Sequence, residues 1–221
     1  MAGTGSRRWR ATLALLAMLA LFATSAIGAG TRPGPERAGA AAPRSSAATN
    51  SAYAIVDAAG GVLTFGGAGY EGDTLNLALA RPIVSAAADP AGGYWLVASD
   101  GGVFTFGQAN FFGSTGGLVL NSPVVGMAAT GDGGGYWLVA SDGGIFAFGD
   151  AGFFGSTGGI RLNQPVTTMR ATPTGFGYYL LGRDGGIFNF GDAGFFGAVP
   201  GLVTGASAAI PKVAMATSQT R

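Results

Sequence analysis

One phrase recurs four times along this chain at a nearly fixed interval, and nothing else in the sequence constrains the fold as strongly. YWLVASDGGVFTFG at residues 94–107 returns as YWLVASDGGIFAFG at 136–149 and as YYLLGRDGGIFNFG at 178–191. A more divergent copy, YAIVDAAGGVLTFG, occupies residues 53–66. Gly61, Gly102, Gly144 and Gly186 therefore stand 41, 42 and 42 residues apart. A period of about 40 residues marks a repeat architecture, in which one unit cannot bury its apolar face without its neighbours.

Each unit holds four short apolar runs separated by turn residues. In the third copy they are residues 124–129, 136–140, 145–148 and the pair Phe153-Phe154. Runs this short, rich in β-branched and aromatic residues and broken by glycine, read as strands. Asp100-Gly101, Asp142-Gly143 and Asp184-Gly185 each separate two such runs. Asp-Gly tolerates the two positive φ values of a type I′ turn, so tight two-residue hairpins are expected there. Four antiparallel strands in about 42 residues make one blade of a β-propeller. Along the middle run Tyr, Leu and Ala alternate with Trp, Val and Ser, so both faces are apolar, as in a blade packed on both sides. The first run of each unit is built of small residues such as Ser85-Ala86-Ala87-Ala88, which suits an inner strand crowded near the propeller axis.

The first copy has no such inner run, and Pro211-Lys212-Val213-Ala214-Met215 aligns with Pro123-Val124-Val125-Gly126-Met127, proline on proline and methionine on methionine. The expected fold class is thus all-β: a four-bladed β-propeller over residues 52–221, closed when the C-terminal strand completes the first blade. Closure would remove exposed strand edges. Residues 199–209 form a longer link than the other inter-blade connections, which leaves a strand-swapped assembly as the alternative to a closed monomer.

Ahead of the repeats, Arg7, Arg8 and Arg10 precede a run of mostly Ala and Leu at residues 11–23, followed by small residues. This is the pattern of a secretory signal peptide over residues 1–29, with an uncleaved membrane anchor as the alternative. Residues 30–51, rich in Ala, Gly, Pro, Arg and Ser, read as a flexible linker. The chain has no cysteine, so packing rather than disulfides must stabilise the domain.

The formal charge of +1 conceals an acidic repeat body. Between residues 53 and 204 four arginines (81, 161, 170, 183) face ten carboxylates. Binding nucleic acid requires cations that displace counterions from phosphates, so a nucleic-acid partner is excluded.

The phrases GYWLVASDGG(I/V)F and FGDAGFFGSTGG resemble tandem repeats of secreted actinobacterial proteins, some joined to peptidase or cell-wall hydrolase domains. The layout P-V-V-x-M-A-A, a hydrophobic strand, then D-G-x-(V/I)-(F/Y)-x-(F/W)-G is also similar to the repeat of regulator-of-chromosome-condensation propellers. This chain departs from the latter in having no histidine and four copies rather than seven. The resemblances imply a propeller layout and an extracellular setting, and carry over no catalytic residue.

Without His or Cys, Ser-His-Asp and Cys-His nucleophilic sites and imidazole or thiolate metal sites are impossible. No phosphate-binding glycine loop is present, and no cofactor or metal is expected. Asp150 and Asp192, in the motif FGDAGFFG, can be read as Ca²⁺ ligands or glycosidase acids, or as turn-capping residues. The second copy has Gln108 at that place and the first has Gly67, which favours the turn. Two groups remain as candidate ligand-binding residues. Trp95, Trp137 and Tyr179 share one phase of the repeat and could stack on sugar rings, or else pack between blades. Arg170, Arg183 and Arg161 break the repeat, and a cation near a propeller channel could hold an anion or a carboxylate. The expected function is a secreted, non-catalytic binding or scaffold module at the cell envelope, with cell-wall glycan or an envelope protein as partner. A membrane-anchored sensor or interaction module and a carboxylate-based glycan-active enzyme are the alternatives.

Overall fold

The computed structural model describes residues 52–200 together with 211, 212, 214 and 215. The proposed signal peptide and linker, residues 1–29 and 30–51, lie outside the described residues. Everything described is strand, turn or loop, with no helix among these residues.

Among the described residues eleven strands form four sheets, one per repeat. The first sheet pairs β1 (Tyr53–Val56) with β2 (Val62–Phe65). The second is a meander of β3 (Ile83–Ala88), β4 (Gly93–Ala98) and β5 (Val103–Gly107). The third repeats it with β6 (Val124–Ala129), β7 (Gly135–Ala140) and β8 (Ile145–Gly149). The last consists of β9 (Val166–Ala171), β10 (Gly177–Gly182) and β11 (Ile187–Gly191). All pairings are antiparallel.

The two-residue alternation of each middle strand divides its side chains between two layers. Tyr94, Leu96 and Ala98 of β4 pack back against Ala54, Val56 and Val62 of the first sheet. Trp95 and Val97 pack forward against Val124, Met127, Tyr136 and Leu138 of the third. Trp137 and Val139 pack forward in turn against Val166, Met169, Tyr178 and Leu180 of the last. Among the described residues the core is thus three layers, each sandwiched between consecutive sheets, so that β4 and β7 are buried on both faces. The first strands of the meanders stand side by side, as the inner strands of blades do. A Cβ on Gly126 of β6 would come within 3.5 Å of the β9 backbone at Thr168 and Met169, so a small residue there lets the inner strands approach.

Two local expectations are corrected. The fourth run is not a strand: Phe111-Phe112, Phe153-Phe154 and Phe195-Phe196 lie in loop, and among the described residues each sheet has at most three strands. Two residues flanked by glycines are too short to sustain a ladder, and their backbone groups find other partners, described below. The hairpin loops are also not two-residue turns. Gly143 N–H donates to Ala140 C=O at 2.8 Å, and Ala140 N–H to Gly144 C=O at 2.9 Å. The loop is therefore Ser141-Asp142-Gly143, a three-residue hairpin with the left-handed residue last (Gly143, φ 78°). Asp142 sits in the ordinary part of the turn, where its Oδ1 accepts from Gly144 N–H at 2.9 Å. The same loop recurs at Gly101 and Gly185.

The proposed closing strand falls largely outside the described residues, and among the described residues nothing closes the ring. The β1–β2 sheet has no third strand among the described residues. Lys212 N–H donates to Arg183 C=O at 2.8 Å, just as Val124 N–H bonds Ser99 C=O and Val166 N–H bonds Ser141 C=O. Thr167 Oγ1 donates to Lys212 C=O at 3.0 Å. The C-terminal segment therefore begins where the inner strand of a further blade would begin, against the last sheet.

Candidate functional site

The structure disperses the residues singled out from sequence. Trp95 and Trp137 have no exposed surface. Each indole N–H donates to a main-chain carbonyl of its own repeat, Trp95 to Asn110 at 2.7 Å and Trp137 to Gly152 at 2.6 Å. Neither offers a face to a sugar. Tyr179, in the same phase on the last sheet, is half-buried. Among the arginines, Arg183 lies in the β10–β11 hairpin loop, where its N–H donates to Pro165 C=O at 2.8 Å. Arg170 lies towards the opposite end of β9, paired with Tyr179, and its Nε donates to Met215 C=O at 3.2 Å. Arg161 is exposed in the link before β9. Arg170 and Arg183 mark opposite ends of one sheet and form no shared anion pocket.

The carboxylates serve the turns. Asp192 accepts from Thr172 Oγ1 at 2.8 Å and from Thr174 Oγ1, joining the end of β11 to the β9–β10 turn. Those hydroxyls hold its carboxyl below the ordinary value. Asp132 is lowered likewise, by Gly134 N–H first and then by the Thr130 hydroxyl. Among the described residues no group of carboxylates is placed to hold a metal ion.

The sequence reading missed two recurrent features. The first is a tyrosine clamp across each layer. Tyr136 hydroxyl accepts from Phe112 N–H and Gly113 N–H at 3.2 and 3.1 Å, and donates to Gly113 C=O at 2.6 Å. Tyr178 does the same to Phe154 N–H and Gly155 C=O, and Tyr94 to Glu71 N–H and Gly72 C=O. These hydroxyls satisfy the loop backbone that a fourth strand would otherwise have paired. Burial pushes all three phenols above their ordinary value of 10.0, against the pull of the main-chain groups bonded to them. A raised pKa means stability that is fully present below the unfolded value and lost as pH rises through the folded one. The lowered carboxylates of Asp132 and Asp192 act oppositely and lose their small contribution as pH falls below about 4. Far-UV circular dichroism across pH should therefore be flat through neutrality and collapse above about pH 10. Tyrosine ionisation, followed by ultraviolet absorbance, should coincide with that collapse; free titration with the fold intact would contradict the clamp.

The second feature is an exposed aromatic ring at one equivalent position in the outer loop of every repeat. Tyr70, Phe111, Phe153 and Phe195 are 56%, 60%, 62% and 59% exposed, although the adjacent residues Phe112 and Phe154 turn into the layers. In the second and third repeats the loop presents one ring inward and one outward, and all four repeats display an aromatic at the same outward place. The available signal was the doubled Phe-Phe at 42-residue intervals, which a strand assignment treats as one run.

No family model matches the chain, and no curated protein matches it. Among solved structures it is similar to YCF48 bound to D1 peptide, with TM-score 0.41 and 15% identity, covering 67% of this chain and 49% of that one. It is similar also to the β-propeller domain of Myceliophteria thermophila Cps50 (Swd1), with TM-score 0.38 and 11% identity, covering 63% and 48%. The chain thus spans about half the length of each of these propeller structures.

Proposed function

We propose that this chain is a secreted, non-catalytic β-propeller that acts as a binding module at the cell envelope, with the outer-loop aromatic row as its contact surface. The observation that carries the reading is the near-equal exposure of Tyr70, Phe111, Phe153 and Phe195, one ring per repeat. Recurrent exposed rings at one place on consecutive blades make an apolar contact surface rather than a scatter of surface residues. A flat ring backed by a rigid loop suits the apolar face of a pyranose, so cell-wall glycan is the partner of choice. Catalysis is disfavoured because the sequence has no His or Cys and, of the two candidate acids, the Asp192 carboxylate is occupied by the Thr172 and Thr174 hydroxyls. The fold reading that accompanies it is a four-bladed propeller or its strand-swapped assembly, in which the segment starting at Pro211 provides the inner strand that the β1–β2 sheet lacks. Export is supported by the basic and apolar pattern of residues 1–29.

Sedimentation of the full chain with isolated cell walls tests the proposal. Phe111→Ser with Phe153→Ser is expected to weaken pelleting at least tenfold while leaving the melting temperature nearly unchanged, because both rings are exposed. Pelleting that survives the double change would overturn the aromatic row. Loss of pelleting after protease treatment of the walls would assign the partner to an envelope protein instead of glycan.

A further inference from the structure

The three inter-sheet layers repeat one joint, and its two halves are left open at opposite ends of the molecule. In each joint a tyrosine of the later sheet clamps the outer loop of the earlier repeat, and a phenylalanine beside it fills the space over a loop glycine. A Cβ on Gly72, Gly113 or Gly155 would fall 2.7, 2.4 or 2.5 Å from the ring of Phe106, Phe148 or Phe190. Glycine is required there to admit the ring. The next loop in the series is built alike: Gly197 keeps a positive φ of 121°, as its three equivalents do. Yet nothing lies within 4 Å of its Cβ position, and Phe196, whose counterparts Phe112 and Phe154 are packed, is 92% exposed.

The matching half stands on the first sheet. Tyr53 and Phe65 are cross-strand partners, as Tyr94 and Phe106 are, and their rings stack at 5.1 Å. Phe65 is 42% exposed and Leu63 beside it 64%, whereas their counterparts Phe104 and Phe106 pack into a layer. The Tyr53 hydroxyl forms no hydrogen bond among the described residues.

We propose that a second copy of this chain supplies the missing half of each joint, so that two copies assemble head to tail. The Tyr53 hydroxyl of one copy then bonds Phe196 N–H and Gly197 C=O of the other, and Phe65 settles over Gly197. This rests on the propeller reading above and names its partner. A second copy is favoured because both halves of the joint are exposed within one copy and so do not meet there, while each copy carries the complement the other needs. A head-to-tail contact made twice closes a two-fold ring and leaves no face open. The segment at Pro211 and Lys212, already seated against the last sheet, is placed to run beside the incoming first sheet.

Analytical ultracentrifugation of the purified full chain tests this, with the exposed-residue variants Leu63→Asp and Phe196→Asp. The wild type is expected at twice the chain mass, and each variant alone as a monomer, with association weakened at least 100-fold. An equimolar mixture of the two variants should regain the dimer, because one of its two joints is intact. A symmetric face-to-face contact would not show that rescue and would overturn the proposal. A wild-type monomer destabilised by both substitutions would mean that the chain closes on itself, which overturns the second copy and keeps the propeller. A monomer indifferent to both would remove the joint and the propeller ring together.

Discussion

Replacing Trp137 by alanine is expected to destabilise the fold by about 3–5 kcal/mol. The indole is fully buried in the layer between the third and last sheets, next to Tyr178 at a ring-centroid distance of 5.9 Å. Truncation leaves a cavity between two β-sheets held apart by their other side chains, and it strands the Gly152 carbonyl that the indole N–H satisfies at 2.6 Å. Against a typical domain stability of about 5–15 kcal/mol, much of the folded population is lost near physiological temperature. Tyr179→Ala is the internal control. Tyr179 shares the phase of Trp137 but is half-buried within one copy, so about 1–2 kcal/mol is expected where both changes are made in the monomeric Phe196→Asp background. Urea denaturation of the three proteins checks the order. Equal losses would mean that a further sheet covers Tyr179, and a negligible loss at Trp137 would contradict the layered core. Any effect of Trp137→Ala on ligand binding then reports folding rather than contact.

The repeat made the number of sheets, their order and their two-sided burial legible from sequence, because alternation along the middle strand survives in every copy. The division of Tyr136 and Leu138 from Trp137 and Val139 follows from a period of two alone. Three things were not legible. Asp-Gly is compatible with both a two-residue and a three-residue hairpin, and the choice depends on whether Ala140 and Gly144 pair, which is a matter of register. Phe153-Phe154 reads as an apolar run, but one ring points inward and the other outward with no ladder between them. The aromatic identity of Trp95 and Trp137 is equally consistent with stacking a ligand and with filling a layer, and only burial distinguishes them. The candidate site moved accordingly, from the inward-facing rings to the outward-facing ones beside them.

The hairpin loops also carry the second large expectation, which concerns a threonine that the repeat phrase hides. Thr157 is almost fully buried; its N–H donates to Gly143 C=O at 3.1 Å and its Oγ1 to Asp142 C=O at 3.0 Å. Thr115 and Thr74 make the same pair of bonds to the loops ending at Gly101 and Gly60. The outer connection of each repeat is thereby pinned to its own hairpin. A Cβ on Gly143 would lie 1.7 Å from Thr157 Oγ1, at a φ of 78° that alanine adopts only at a cost. Gly143→Ala should therefore cost about 1–2 kcal/mol for the left-handed backbone and about 1–3 kcal/mol for the overlap. Thr157→Ala alone should cost about 1–2 kcal/mol, from the lost hydrogen bond and the buried carbonyl left behind. In the double variant the clash with Oγ1 goes, leaving the backbone term, the lost bond and a tight 3.1 Å contact between the two Cβ positions, so the combined loss should fall short of the sum by at least about 1 kcal/mol. Chemical denaturation of the four proteins in this cycle measures that shortfall. Strict additivity would mean that Gly143 and Thr157 do not touch, and that the glycine is retained for its backbone conformation alone.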